Sequence, residues 1–116
     1  MIVDDNESFL DAVRVLLERQ GLAVVGVAGS VAEGVERVHE LQPDFVLVDI
    51  DLAGESGFTV VRKLAEKSDD GCPVILISAH PGEDFSDLVA ESTAVGFIAK
   101  AELSAESVRE LLDRPR

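Results

Sequence analysis

The sequence predicts an α/β fold in which five strands and five helices alternate, forming a doubly wound (βα)5 parallel sheet with strand order 2-1-3-4-5. The first observation behind this prediction is that short apolar runs alternate with segments whose apolar residues recur at helical spacing. The second is that residues 45–50 and 74–78 are almost continuously apolar, as in parallel strands covered on both faces. The third is length, because 116 residues suffice for one core. We therefore treat residues 1–116 as one domain without a linker.

The first unit is a short strand followed by a long helix. Ile2-Val3 is the strand, the apolar residues from Phe9 to Leu17 have helical spacing, and Gly21 follows as a helix stop. Only three apolar residues precede Asp4, whereas strands commonly contain about five. We therefore expect the natural chain to begin before Met1.

The second and third units are marked by clear start signals. A β-branched run over residues 23–28 precedes the S-x-x-E pattern that starts at Ser30, which predicts a capping box and a helix to about Leu41. Pro43 then breaks the chain before the third strand. The helix of this third unit is predicted from about residue 57 to residue 67.

The last two units have short helices. Pro73 introduces the fourth strand, which is followed by a helix from Phe85 to Ser92. Gly96 to Ala99 form the last strand, and a helix from Ser104 to Leu112 completes the pattern.

Composition and charge narrow the classes of function. With 47% hydrophobic and 28% charged residues, the composition is that of a soluble globular protein. A net charge of −13 disfavours nucleic acids and anionic membranes as direct partners. Cys72 is the single cysteine, which excludes an internal disulfide and a cysteine-rich metal site, and we expect it to be a small, buried or half-buried apolar residue at the start of a strand. Neither a membrane span nor a leader peptide is apparent, so we expect a cytoplasmic protein.

Polar side chains follow four of the five predicted strands. They are Asp4-Asp5 after the first strand, Asp49 at the end of the third, Ser78 at the end of the fourth and Lys100 after the fifth. In a doubly wound sheet, ligands bind beyond these carboxyl ends. Three converging carboxylates repel one another and are suited to a hard cation, so the sequence predicts a Mg²⁺ site made by Asp4, Asp5 and Asp49. Taken alone, Asp4-Asp5 also fits a solvated helix N-terminus.

The same cluster is suited to phosphoryl chemistry. A carboxylate can act as nucleophile and form an aspartyl phosphate when cations shield the phosphoryl oxygens. Asp49 is the central candidate for this role. Ser78 and Lys100 would each bind a phosphoryl oxygen, since positioning and charge stabilisation are what a protein contributes to phosphoryl transfer.

Five motifs in order resemble those of bacterial two-component receiver domains over essentially the whole chain. They are V-D-D at residues 3–5, L-V-D-I at 47–50, G-x-x-G at 54–57, I-S-A at 77–79 and G-F-I-A-K at 96–100. Each motif alone is weak, whereas the ordered set is specific. The resemblance implies a flavodoxin-like fold, and the run from Gly96 to Ser104 is similar to receivers that precede a LuxR-type output domain.

The resemblance assigns roles to the acidic residues. It implies that Asp49 is the phosphoacceptor, Asp5 is a direct Mg²⁺ ligand and Asp4 is a mainly water-mediated one. It also implies that Asp51 gives its backbone carbonyl to the metal. Such a domain is a signalling module and not an enzyme.

The resemblance also implies a switch and partners. Ser78 and Phe97 are similar to the switch pair of the family, in which the hydroxyl moves toward phosphate and the ring rotates inward. The implied phosphodonor is a sensor histidine kinase or a phosphotransfer protein. A second copy of the chain would dock through the fourth helix, last strand and last helix, roughly residues 83–112. Transcription regulation would need an output domain outside this chain.

Two positions depart from the family pattern. Ala53 and Ala101 stand where many receivers have proline, so we expect a more mobile loop at Ala53 and no cis-proline constraint at Ala101. His80 lies near the mouth of the predicted site, where it could tune the phosphate lifetime. His39 is predicted on an exposed helix face.

Three other functions remain as alternatives. Asp49 and Asp51 also resemble the D-x-D of haloacid-dehalogenase-type phosphatases, although that motif follows a first strand and here it follows a third. An FMN-binding flavodoxin module shares the fold but has a Ser/Thr-rich phosphate loop where this chain has acids. A pseudo-receiver that binds partners without phosphorylation is the third alternative, and the absence of acid-labile phosphate would identify it.

Overall fold

The structure is a computed structural model that describes residues 1–52, 54–67, 72–79 and 86–113. Its described strands are β1 (Ile2–Val3), β2 (Val27–Ala28), β3 (Val46–Asp49), β4 (Asp51–Leu52), β5 (Glu55–Ser56), β6 (Val74–Ser78) and β7 (Gly96–Ala99). A five-stranded parallel sheet has the order β2-β1-β3-β6-β7, while β4 and β5 form a separate antiparallel hairpin. Counted within the sheet alone, this is the order 2-1-3-4-5, which confirms the predicted doubly wound fold.

The described helices follow the sheet strands as the periodicity predicts. They are α1 (Glu7–Arg19), α2 (Val31–Leu41), α3 (Gly57–Lys67), α4 (Ser86–Glu91) and α5 (Ala105–Asp113), with a 3-10 turn at Lys100–Glu102. The predicted start of α4 at Phe85 lies outside the described residues. The 3-10 turn and the β4–β5 hairpin are additions that apolar periodicity does not detect, because both are short and mostly exposed.

The sheet is packed between two helical layers. Leu17 of α1 and Val108 of α5 belong to a buried cluster on one side, which we call the α1–α5 face. Val35 of α2 and Val60 of α3 belong to a second cluster on the other side, the α2–α3 face. Coverage of both faces explains why the central strands carry apolar residues at successive positions.

The second strand is shorter than predicted. The apolar run suggests a strand over residues 23–28, but only Val27–Ala28 pairs with β1. Because β1 itself has two residues, the earlier part of the run has no residues of β1 opposite it. Val24 is nevertheless buried while Val25 is 53% exposed, so this segment packs without extending the ladder.

Local hydrogen bonds set the starts of the first two helices. Asn6, and not Asp4 or Asp5, caps α1 by accepting a hydrogen bond from Phe9 N. Ser30 caps α2 through Glu33 N, as the S-x-x-E pattern predicts. The Glu33 carboxylate accepts from Gly29 N, one residue before the cap.

Two single-residue expectations agree with the fold. Cys72 is half-buried against the α2–α3 cluster, immediately before Pro73 and β6. His39 is exposed on α2. Within the described ranges, none of the helices is long and apolar enough to cross a bilayer.

Candidate functional site

Alternation along the strands places three charged side chains on one face of the sheet. Ile2, Leu47 and Ile98 belong to the α1–α5 cluster. Side chains two residues further along an extended chain point to the same face. The residues at those positions are Asp4, Asp49 and Lys100. Since the strands are parallel, all three meet at the carboxyl edge of the sheet.

Lys100 joins the two acids at this edge. Its ammonium nitrogen lies 2.6 Å from Asp4 Oδ2 and 3.0 Å from Asp49 Oδ2. Both acids are buried, and 14% of the lysine side chain is exposed. The same nitrogen lies 4.0 Å from the centroid of the Phe9 ring, which is within the range of a cation–π interaction.

Main-chain donors hold the other oxygens of the two acids. Asn6 N donates to Asp4 Oδ1 at 2.9 Å, and Asp51 N donates to Asp49 Oδ1 at 3.1 Å. Each donor lies two residues beyond its acid, where the chain leaves the strand. Both carboxylates are therefore oriented from the main chain as well as from Lys100.

The electrostatics follow from sharing one ammonium between two carboxylates. Burial raises the pKa of Asp49, and the Asp4 carboxylate raises it further, although hydrogen bonds from Asp51 and Lys100 act in the opposite direction. Burial would lower the pKa of Lys100, but its hydrogen bonds to Asp4 and Asp49 outweigh burial, so its pKa is raised. The lysine therefore stays charged, and its single ammonium faces two carboxyl groups.

The donor set fits a hard divalent cation. Asp4, Asp5 and Asp49 each offer one carboxylate oxygen, and these oxygens all lie within 4.8 Å of one another. Asp5 is exposed and lines an open cleft of about 370 Å³. Asp4, Asp49, Asp51 and Lys100 line the same cleft. Three carboxylates against one ammonium leave negative charge, which Mg²⁺ with oxygen ligands would neutralise.

The remaining predicted residues occupy different parts of this region. Asp51 is exposed beside the cleft at the start of β4. Ser78 is buried at the end of β6, and Phe97 is half-buried against the α2–α3 cluster. Leu76 pairs with Phe97 and Ser78 pairs with Ala99, so Ser78 and Phe97 share the α2–α3 face. Ala53 and His80, for which mobility and a site role were predicted, lie outside the described residues.

The structure adds three residues that sequence reasoning missed. Asn6 could have been found, because asparagine before an amphipathic run is a preferred N-cap. Phe9 contacts Lys100 across 91 positions of the chain, and no local pattern indicates such a contact. Glu55 likewise reaches from β5 to accept a hydrogen bond from Val31 N at the start of α2.

Comparison with known proteins gives a consistent family. Residues 1–113 match the family of response regulator receiver domains. The response regulator GacA of Pseudomonas viridiflava is 30% identical over 112 residues, which cover 96% of this chain and 52% of GacA. The DNA-binding transcriptional activator EvgA of Escherichia coli K12 is 29% identical over 102 residues, which cover 88% of this chain and 50% of EvgA.

A solved structure agrees with these sequence matches. The LuxR-family two-component response regulator from Aurantimonas sp. SI85-9A1 is similar with a TM-score of 0.85 and 30% identity, covering 98% of this chain and 84% of that chain. The chain spans about half the length of the curated relatives it matches. On the family match and the acidic, lysine-containing edge of its sheet, the chain belongs to the receiver domains of two-component response regulators.

Proposed function

We propose that this receiver accepts a phosphoryl group on Asp49 in a Mg²⁺-dependent reaction. The observation that carries the proposal is the position of Lys100, whose ammonium contacts Asp4 and Asp49 together. The half-buried Lys100 lies between the two carboxylates, and Asp49 ends the central strand β3 and borders the open cleft. The lysine would therefore supply positive charge at Asp49.

In the proposed reaction, a carboxylate oxygen of Asp49 attacks the phosphorus atom of the donor. The new bond joins that oxygen to phosphorus, and the bond to the leaving group breaks with its electron pair going to the leaving group. Lys100 would then bind a phosphoryl oxygen, and the Ser78 hydroxyl would bind another. Mg²⁺, held by Asp4, Asp5 and Asp49 with the Asp51 carbonyl, would supply positive charge beside the phosphoryl oxygens.

The test uses acetyl phosphate as donor, for which acetate is the leaving group. With millimolar Mg²⁺, the intact mass should increase by one phosphoryl group, and borohydride reduction should convert residue 49 to homoserine. EDTA should abolish the modification. Asp49→Asn should remain unmodified, whereas Asp44→Asn, which removes an exposed acid remote from the cleft, should react like the parent. Modification that persists in Asp49→Asn would show that another residue is the acceptor.

The natural donor in this proposal is a sensor histidine kinase or phosphotransfer protein in the cytoplasm. The output would be a change in protein contacts, including pairing with a second copy through α4, β7 and α5. We propose no direct nucleic-acid contact or membrane attachment for this domain, since its net charge of −13 opposes both. Control of transcription would require an output domain beyond these residues.

A further inference from the structure

The ring of Phe9 is part of a closed set of contacts around the lysine. Asn6 N donates to Asp4 Oδ1, and Asn6 Oδ1 accepts from Phe9 N at 3.1 Å. The Phe9 ring lies against the Lys100 ammonium, which returns to Asp4 through Oδ2. We call these four residues, Asp4, Asn6, Phe9 and Lys100, the Asp4–Lys100 circuit.

We propose that Phe9 is a positioning residue for phosphoryl transfer, with its ring holding the Lys100 ammonium between Asp4 and Asp49. The inference rests on the proposed function, because it assigns Phe9 a part in the same reaction. Phe9 does not touch the reacting atoms. It acts through the lysine alone.

The chemistry of lysine explains why a positioning residue is needed. A lysine side chain has four flexible methylene groups and a point charge without directional preference, so hydrogen bonds alone leave it several orientations. Asp4 and Asp49 fix the ammonium from the carboxylate side. The face of an aromatic ring attracts a cation from a further direction, and it cannot take the proton or compete as an anion.

The position of Phe9 on α1 makes the ring a fixed support. Its main-chain nitrogen is tied to the N-cap Asn6, and its side chain is half-buried against the α1–α5 cluster. The ring is therefore held both by the first turn of α1 and by the core. When Asp49 gains a phosphoryl group, the lysine can shift to the new oxygens while its ammonium keeps contact with the ring.

The contact itself is measured first, without any donor. In NMR spectra, the ring current of Phe9 should displace the Lys100 ε-methylene protons upfield from the positions of exposed lysines. Phe9→Leu should restore ordinary shifts, and Phe9→Tyr, which keeps the ring, should preserve the displacement. Ordinary shifts in the parent would overturn the inference directly.

The reaction is measured next, with acetyl phosphate at saturating Mg²⁺. Phe9→Leu should lower the phosphorylation rate about three- to tenfold, the range expected for losing a partly desolvated cation–π contact. Phe9→Tyr should restore most of the rate. Replacing Phe9 with phenylalanines of increasing fluorination should lower it stepwise, because fluorine weakens the negative face of the ring while nearly preserving its shape.

Phe58→Leu is the matched control, since Phe58 is a half-buried aromatic packed against the α2–α3 cluster and lies on α3. It should react at the parent rate. An unchanged rate in Phe9→Leu, or an equal loss in Phe58→Leu, would overturn the role of Phe9 while leaving Asp49 as acceptor. A parent that takes no phosphoryl group would overturn the proposed function, and this inference with it.

Discussion

Asp49, the proposed nucleophile, has the surroundings of a buried acid. It is 7% exposed, and it shares its lysine with a second carboxylate that is entirely buried. A buried carboxylate that shares its only cationic partner with another carboxylate lowers the stability of the folded state. The protein tolerates this cost because burial of the apolar core contributes more free energy in the opposite direction. Without a metal ion, this cost should be visible in the dependence of stability on pH.

The pH prediction compares the parent with Asp49→Asn in EDTA. The pKa of Asp49 is raised in the folded protein, chiefly by burial. Its favourable contribution is therefore fully present below the unfolded pKa, about 3.9, and is lost as pH rises through the folded pKa. Asp49→Asn, which does not titrate at this position, should gain in melting temperature over the parent as pH rises from 4 to 7.

Repeating the measurement with Mg²⁺ in place of EDTA should reverse the effect of the uncompensated carboxylates on stability. By binding the folded state, the ion should raise the melting temperature of the parent at pH 7 and reduce the advantage of Asp49→Asn. The difference between Asp44→Asn and the parent should not change with Mg²⁺. A constant difference between Asp49→Asn and the parent at every pH would contradict a raised pKa at Asp49.

For single residues, the sequence predicts which acids and which lysine meet at the carboxyl edge of the sheet. It does so because the apolar runs mark where each parallel strand ends. Asp4, Asp49 and Lys100 converge as expected, and Asp5 and Asp51 border the same cleft. Their roles in catalysis and metal binding stay predictions. Phe9 could not be predicted, since an aromatic residue at helical spacing has the same pattern whether it meets the core or a cation.

At the scale of elements, the β4–β5 hairpin places the start of α3 directly against the end of β3, which carries Asp49. Gly57 N donates to Ile50 O at 2.8 Å, which closes the hairpin. A Cβ at Gly57 would meet the carbonyl oxygen of Asp49 most closely, and it would lie 2.9 Å from the Asp49 carbonyl carbon and 3.0 Å from Ile50 Cα. All three are backbone atoms, which cannot move aside as a flexible side chain would. Gly54, in contrast, has open space but a φ of +89°.

These two glycines give a matched pair of substitutions. Gly57→Ala should cost about 1–3 kcal/mol through overpacking, and Gly54→Ala about 1–2 kcal/mol through backbone strain. Urea unfolding should therefore give the larger loss for Gly57→Ala, because its added Cβ meets backbone atoms. Only Gly57→Ala moves the backbone of Asp49, so it should lower Mg²⁺ affinity and phosphorylation rate much more. Equal effects of the two variants on phosphorylation would show that the Asp49 backbone is not held by this contact.

The five sheet strands and the five helices were predictable from the sequence, but the length of β2 and the β4–β5 hairpin were not. The central strands and α3 match the sequence prediction because continuous burial leaves a continuous apolar signal. The apolar residues before Val27 give the same sequence signal but form no strand. A strand forms there only where β1 offers residues to pair with, and the apolar pattern of residues 23–26 does not report this. The hairpin depends on contacts such as Glu55 with Val31 N, which link residues 24 positions apart.

At the scale of the whole molecule, the order of the sheet separates Asp49, the proposed acceptor, from the edge strand β7. β3 is central, β6 is next and β7 forms the edge. Ser78 on β6 and Phe97 on β7 lie on the opposite face of the sheet from Asp49. Phe97 packs against the same cluster as Val89 of α4. A hydroxyl drawn toward a phosphoryl group would therefore displace the side of the molecule that carries α4 and β7.

Beryllofluoride with Mg²⁺, as a phosphoryl mimic, should change amide shifts and exchange most in α4, β7 and α5. A bound group alters a conformational equilibrium only if it favours one state, and here Ser78 would provide that preference. Ser78→Ala should accept the mimic yet respond less across this face, whereas Ser8→Ala, at an exposed site on α1, should respond like the parent. Changes centred on α1 and α2, or undiminished in Ser78→Ala, would contradict this route.

The Asp4–Lys100 contact also has a consequence for the order in which the chain can fold. Its two ends are 96 residues apart, so during synthesis both acids leave the ribosome long before their counterion. A nascent chain that has paired β1 with β3 would hold two facing carboxylates with no lysine between them. Until Lys100 arrives directly after β7, a bound cation such as Mg²⁺ would have to balance these two charges. The lysine that follows the last strand thus neutralises the acid that follows the first strand. Nascent fragments that end before Lys100 should pack their carboxyl edge only loosely.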